Sequence, residues 1–324
     1  MHASRFFLLC AGLVLCFCAS TASLAQQGEV AAERSPAVEA LNRERQARIE
    51  ASLAELREKG IEPGNGKSLQ ECAQCPELLL VEAPGIEPMA IGKFEVTRGQ
   101  YIAFLTETKY PMNGPCTVWV GGWFTNLAQM WQPVSHAGWA TPGFEQTNEH
   151  PVVCVSGNDA QAYTRWLSQK TGKTYRLPTA FEWRNAAMGA RTQLAVPWTP
   201  QTTPQACGIG NVFDAAGDEK LSHGLGEAYA CSDGYAHTAP VGKFAANVLG
   251  LYDMWGNVEE LTQDKITLNQ AFGLRDPRYE KIFVVPTRGG SFAGARNGAL
   301  ASGIVDAAEV RKFSVGMRVL RTLD

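Results

Sequence analysis

The sequence predicts an α+β domain in which irregular backbone outweighs regular structure. Three observations point that way: a few short helices announced by capping signals, short apolar runs broken by glycine, proline and tryptophan, and an even set of cysteines downstream of an apolar leader. The helix starts are T-x-x-Q at Thr97, S-x-x-D at Ser156 and T-x-x-E at Thr179, each with a side chain at N3 able to answer the N-cap. One face of each helix is then apolar: Tyr101, Phe104 and Leu105; Tyr163, Trp166 and Leu167, stopping near Gly172; and Trp183, Ala186 and Ala187. Short strands are expected at 281–285 and 316–320. Long loops bury little apolar surface and their backbone groups need partners, so cross-links or bound metal are expected to stiffen the domain.

Arg5, the apolar stretch from Phe6 to Cys18 and the small residues ending at Ser23-Leu24-Ala25 lay out a cleavable secretory signal over residues 1–25. The stretch is shorter than the roughly 20 residues that span a bilayer, and no later segment is long and apolar enough, so no membrane span is expected in the mature chain. The expected location is the periplasm or the exterior. Cleavage removes Arg5, which takes the formal net charge of −3 one unit lower. A chain so close to neutral has no electrostatic case for nucleic acid.

Cys10, Cys16 and Cys18 leave with the signal; Cys72, Cys75, Cys116, Cys154, Cys207 and Cys231 remain. In an oxidising compartment these read as disulfides, and of the possible pairings proximity favours Cys72 with Cys75, Cys116 with Cys154, and Cys207 with Cys231. Cys72-Ala-Gln-Cys75 is the motif of a redox pair, but no βαβ pattern surrounds it, which favours a structural bridge. Residues 26–71 are charged and poor in aromatics, with a helix opened by Ser35-Pro36 and closed by Gly60. Val38, Leu41, Ile49, Leu53 and Leu56 give it only a thin apolar stripe, so it is expected to be a solvated arm ahead of a domain spanning 72–324.

Several segments together resemble the sulfatase-modifying-factor family, best known from the formylglycine-generating enzyme. They are Gly92-Lys93-Phe94-Glu95-Val96-Thr97 with Gln100-Tyr101; His150-Pro151-Val152-Val153-Cys154-Val155-Ser156; Tyr175-Arg176-Leu177-Pro178-Thr179 with Glu182-Trp183; Gly250 through Val258; Arg288-Gly289-Gly290-Ser291-Phe292; and Gly316-Met317-Arg318. The resemblance runs in order from about residue 72 to 321 and implies a C-type-lectin-like α+β fold. It also exposes departures. The family's two copper-holding cysteines correspond to Gly294 and Ala299, so no copper is expected, and the family's Trp-Glu-Trp becomes Glu259-Glu260-Leu261. The glycine-containing turn ahead of the first segment is reduced to Ala83-Pro84-Gly85.

The same resemblance implies two structural calcium sites. One takes the Asn211 side chain, the Val212 carbonyl, Asp233 and the Tyr235 carbonyl; the other takes Asp253, the carbonyls of Gly256 and Val258, and Glu260. Without the family context, Asn211 and Asp233 read as turn residues and Glu260 as an arginine's partner. Ser291 is the catalytic candidate carried over from the Gly-Gly-Ser segment, with a local turn as its other reading. Glu259, a carboxylate at an aromatic position, is a candidate general base if partly buried. The histidines show no metal spacing, and the crowded Trp119, Trp123, Trp131 and Trp139 suit either a ligand surface or a secondary core. The leading expectation is an exported oxidase or maturation factor acting on a peptide or natural product, with no redox cofactor named by the residues. A non-catalytic lectin-like binding module is the alternative, and a true sulfatase activator comes third.

Overall fold

The three capping signals close as reciprocal boxes. Thr97 Oγ1 accepts from the Gln100 amide while Gln100 Oε1 accepts from the Thr97 amide, opening the helix Arg98–Thr108. Ser156 with Asp159 opens Gly157–Thr171, which ends in left-handed Gly172, and Thr179 with Glu182 opens Ala180–Met188, which ends in left-handed Gly189. A glycine there carries the positive φ without a Cβ penalty. Of the faces expected, Tyr101, Phe104, Tyr163, Trp166, Leu167, Trp183, Ala186 and Ala187 are in the core, while Leu105 is only half-buried.

The structure is a computed structural model that describes residues 35–83, 85–112, 114–120, 131–189, 203–221, 227–294, 303–305 and 308–324. The chain divides into two compact units, one holding residues up to Ala51 with Asp324, the other Ser52–Leu323. Ser35 caps a helix over Pro36–Glu58, its hydroxyl accepting from the Val38 amide. In the smaller unit this helix is mostly exposed, and Arg45 meets Asp324. The larger unit begins well before residue 72, because Leu53, Leu56 and Ile61 are buried in it. That part of the expected solvated arm is core.

Two sheets frame the larger unit. The first has the antiparallel order β1 (Leu78–Val81), β2 (Met89–Gly92), β11 (Leu320–Thr322), β5 (Tyr175–Arg176). The second has the order β10 (Val315–Met317), β6 (Glu259–Leu261), β8 (Phe283–Arg288), β7 (Ile266–Thr267), with β9 (Gly303–Val305) also on β8. A third, two-stranded sheet pairs β3 (Cys116–Trp119) with β4 (Trp131–Val134), and Thr117 bridges it to Lys312. The strand expected at 316–320 is two strands in different sheets: the chain leaves one sheet after Met317 and enters the other at Leu320. The strand expected at 281–285 starts later, at Phe283, and runs on to Arg288, because the Ile282 amide closes a turn onto the Tyr279 carbonyl just ahead of it.

The disulfides are Cys72–Cys75, Cys116–Cys154 and Cys207–Cys231, the pairs favoured by proximity. Cys207 lies in a core cluster with Trp183, Met254 and Trp255; Cys116 and Cys154 lie in a second with Phe213, Phe292 and Phe313. Trp119 and Trp131 meet edge to face at 5.3 Å, and the Trp119 indole donates to the Leu221 carbonyl, so this pair builds a secondary core. Trp139 instead packs edge-on against Tyr101, with the Arg98 guanidinium over its ring. Trp123 lies outside the described residues.

Candidate functional site

Three loops meet along one seam. The Asn257 amide donates to the Asn211 carbonyl at 2.7 Å, the Gly256 amide to the Gly289 carbonyl at 2.8 Å, and the Phe292 amide to the Asn257 carbonyl at 3.0 Å. The 255–258 loop is thus clamped between 210–212 and 289–292. The approach is so close that a Cβ on Gly256, whose φ is +80°, would lie 2.0 Å from the Asn211 carbonyl oxygen.

Beneath the seam lies a buried polar network. Asn257 Nδ2 donates to Glu95 Oε2 at 2.6 Å and the Val258 amide to Glu95 Oε1 at 3.1 Å. Asn257 Oδ1 accepts from the Ala239 amide and from Asn211 Nδ2, which also donates to the His237 carbonyl. Arg318, fully buried, donates to the carbonyls of Gly92 and Tyr252 and forks onto Glu260, whose Oε2 also accepts from the Trp183 indole at 2.6 Å. Asp253 sits beside them, left-handed at φ 55°, with Oδ2 accepting from the Gly242 amide. Glu95, Asp253 and Glu260 therefore face one guanidinium. Burial, then the charges of Asp253 and Glu260, push the Glu95 carboxyl well above the usual carboxylate range. Burial likewise takes Asp253 to about 6.

This geometry fits the donors of a hard cation. Asn211 Oδ1 and Asp253 Oδ1 are buried oxygens with no hydrogen-bond partner among the described residues, and an orphaned buried oxygen is costly unless something positive faces it. Asp233 accepts from the Val212 amide at 2.9 Å and the Tyr235 amide at 2.8 Å, which gathers all four residues of the first expected set. Burial and then the neighbouring Asp214 raise the Asp233 carboxyl to about 6. Asp214 and Cys207 also crowd Asp233, but Cys207 is bridged to Cys231 and offers no thiolate. In the second set Asp253, Gly256, Val258 and Glu260 are neighbours in one loop and strand. Glu260 is the arginine's partner at both oxygens, because a buried guanidinium requires a counter-charge. A cation bound there would have to share the Glu260 carboxylate with Arg318.

The two catalytic candidates lie close in the fold but are not joined. Ser291 is buried, and its Oγ accepts from the Ala293 amide while its carbonyl accepts from Gly294, a local turn. Glu259 points to the opposite face of β6 from Glu260, where its Oε2 accepts from Thr287 Oγ1 at 2.5 Å. Burial raises its carboxyl, offset by Thr287 and by Lys312. Among the described residues no hydrogen bond links Ser291 with Glu259. An open cleft of about 1100 Å³ lies nearby, lined by Val118, Val134, His136, Phe144, Glu145 and His150 among others, and neither candidate lines it. Phe144 ties the cleft to the seam: it stacks on His237 at 4.5 Å and meets Phe292 edge-on at 5.5 Å.

The sulfatase-modifying factor enzyme 1-like domain matches residues 66–323. The chain belongs to that family. It is 34% identical over 197 residues to the formylglycine-generating enzyme of Thermomonospora curvata, covering 55% of this chain and 60% of that one. It is 32% identical over 197 residues to the bovine protein named inactive C-alpha-formylglycine-generating enzyme 2, with the same coverage. The chain thus spans about 60% of the length of these curated relatives. The solved structure of PvdO from Pseudomonas aeruginosa shares the fold, at a TM-score of 0.56 and 23% identity, over 80% of this chain and 98% of that one.

Within this family member, Gly294 is packed against the Ser291 turn, where an added Cβ would lie 3.2 Å from the Ser291 carbonyl oxygen. Ala299, the other position expected to have lost sulfur, lies outside the described residues. Sequence reasoning missed Glu95 as a network centre. Its signal was a carboxylate flanked directly by Phe94 and Val96. His237 and Phe144, which join cleft and seam, carried no comparable mark.

Proposed function

We propose that this chain is an exported, calcium-stabilised maturation factor of its family, acting on a peptide or natural product without a copper–thiolate pair. Cysteine use carries the reading. Cys72, Cys75, Cys116, Cys154, Cys207 and Cys231 are all spent in disulfides, and no cysteine follows Cys231. Soft thiolates select monovalent copper and only a thiol exchanges with a substrate cysteine, so the namesake reaction lacks its chemical means. When bound, calcium would supply fixed positive charge to Asn211, Asp233 and Asp253 and hold the loops of the seam. The cleft beside Phe144 is the substrate's place in this reading. The test is incubation with a sulfatase-type cysteine peptide followed by mass analysis. An unmodified cysteine is expected, and conversion to the aldehyde would overturn the proposal.

A binding module is the second reading, favoured by the separate, locally satisfied states of Ser291 and Glu259. A peptide or natural product retained by the protein and released with unchanged mass would select it over the maturation factor.

A further inference from the structure

Between Gln263 and Phe283 the chain makes an excursion in which no residue is buried. Its backbone is nonetheless fixed. Ile266 and Thr267 pair with β8, the Leu268 amide donates to the Ile282 carbonyl at 2.8 Å, and Thr267 and Gln270 form a capping box. Asn269 clasps Asp276 from both sides, its Nδ2 donating to the Asp276 carbonyl and its Oδ1 accepting from the Asp276 amide. This scaffold holds Phe272, Leu274, Ile282 and Phe283 out at 60%, 45%, 43% and 45% exposure. Of the large apolar side chains displayed by the described residues, these four share one excursion, and Phe181 at 58% borders its root, where the Ala180 amide donates to Asp264. Apolar groups rigidly presented to water mark an interaction surface.

The charges on the excursion choose the partner. Lys265, Arg275, Arg278 and Lys281 outnumber Asp264, Asp276 and Glu280 in a chain whose formal net charge is −3. Asp276 and Arg278 pair with one another and cancel, and Asp264 accepts from the Ala180 amide at the root, which leaves Lys265, Arg275 and Lys281 against Glu280 on the outer part. The Lys265 ammonium lies 4.8 Å over the Phe283 ring and the Arg278 guanidinium 5.4 Å over Tyr279, so cationic groups sit directly beside the exposed aromatics. Four side chains expose on the order of a few hundred Å², short of the ~800 Å² each partner of a stable protein complex buries. A small apolar tip rimmed by cations is sufficient, however, to enter the headgroup layer of an anionic bilayer.

We propose that the 263–283 excursion is a peripheral anchor to anionic lipid surfaces. Phe272, Leu274, Ile282 and Phe283 enter the interface, and Lys265, Arg275 and Lys281 meet the lipid phosphates. The test is co-sedimentation of the chain from residue 26 onward, which keeps the whole larger unit, with vesicles. One set is phosphatidylcholine alone and the other contains equal parts phosphatidylcholine and phosphatidylglycerol. Binding is expected only to the anionic vesicles and to weaken with salt. Phe272→Ser with Phe283→Ser, and separately Lys265→Glu with Lys281→Glu, should each lower partitioning at least about tenfold while leaving circular dichroism and melting unchanged. Wild-type protein remaining in the supernatant would overturn the proposal, as would sedimentation of both variants equal to that of the wild type. A concentration-dependent dimer lost in the double serine variant would also overturn it, by assigning the surface to a second copy.

Discussion

The Arg318 guanidinium and the Glu260 carboxylate form a wholly buried fork, with Nη2 2.7 Å from Oε1 and Nε 3.0 Å from Oε2. Arg318 is the cation that Glu95 and Asp253 also feel. Arg318→Met leaves three carboxylates uncompensated and is expected to cost about 3–5 kcal/mol or prevent folding. Glu260→Gln still leaves Arg318 two acids and is expected to cost less. Urea titration of both variants checks the ranking, and the reverse order would show that the desolvated guanidinium is the larger liability.

Gly256→Ala is expected to be among the most destabilising single-methyl additions in the chain. The new Cβ would meet the Asn211 carbonyl oxygen at 2.0 Å in a backbone whose φ is already +80°. A loss of at least about 3 kcal/mol follows from clash and strain together. Gly138→Ala is the control, since an added Cβ there meets nothing within 4 Å, and it should melt like the wild type.

Calcium, if held at the seam, stabilises by mass action. Excess chelator is expected to lower Tm, and added calcium to restore it. Asp253→Asn, which keeps an oxygen for the Gly242 amide, should shrink that calcium-dependent shift while leaving the chelated Tm nearly in place. A wild-type melt indifferent to chelator would remove the metal from the account.

His150 sets an acid limit. Its ring is buried against Thr238 Oγ1 at 3.0 Å, and burial holds its pKa below the ordinary histidine range despite the nearby Glu149. The unfolded chain therefore binds a proton that the folded one refuses. This stability is full above the ordinary histidine pKa and is lost as pH falls from there toward the depressed folded value. Measured against His150→Gln, the wild-type urea midpoint should fall between about pH 7.5 and pH 5.5, while the raised carboxyls of Glu95, Asp233 and Asp253 add stability as pH falls and set a background slope of opposite sign in both proteins. Burial depresses His237 in the same direction, so part of the slope will persist.

What was legible in the sequence was what is decided locally. Capping boxes close within four residues, so Thr97, Ser156 and Thr179 could be read directly, and Thr267 with Gln270 carried the same signal in a shorter form. Neighbouring cysteines paired with neighbours. The switch of sheets after Met317 was not legible, because it depends on Arg318 reaching Gly92, Tyr252 and Glu260 far along the chain. Nor could spacing disclose that Asn257 would settle on Glu95, or that Leu53 and Leu56 would leave the arm for the core.

The turn at Ser291 bears on any attempt to engineer this protein toward its namesake chemistry. Gly294 donates its amide to the Ser291 carbonyl, and the space a β-carbon would take is already crowded by that same oxygen. A cysteine at this position would bring its Cβ to 3.2 Å from that oxygen, so the Ser291 turn would have to give by a few tenths of an ångström before a sulfur could be seated there.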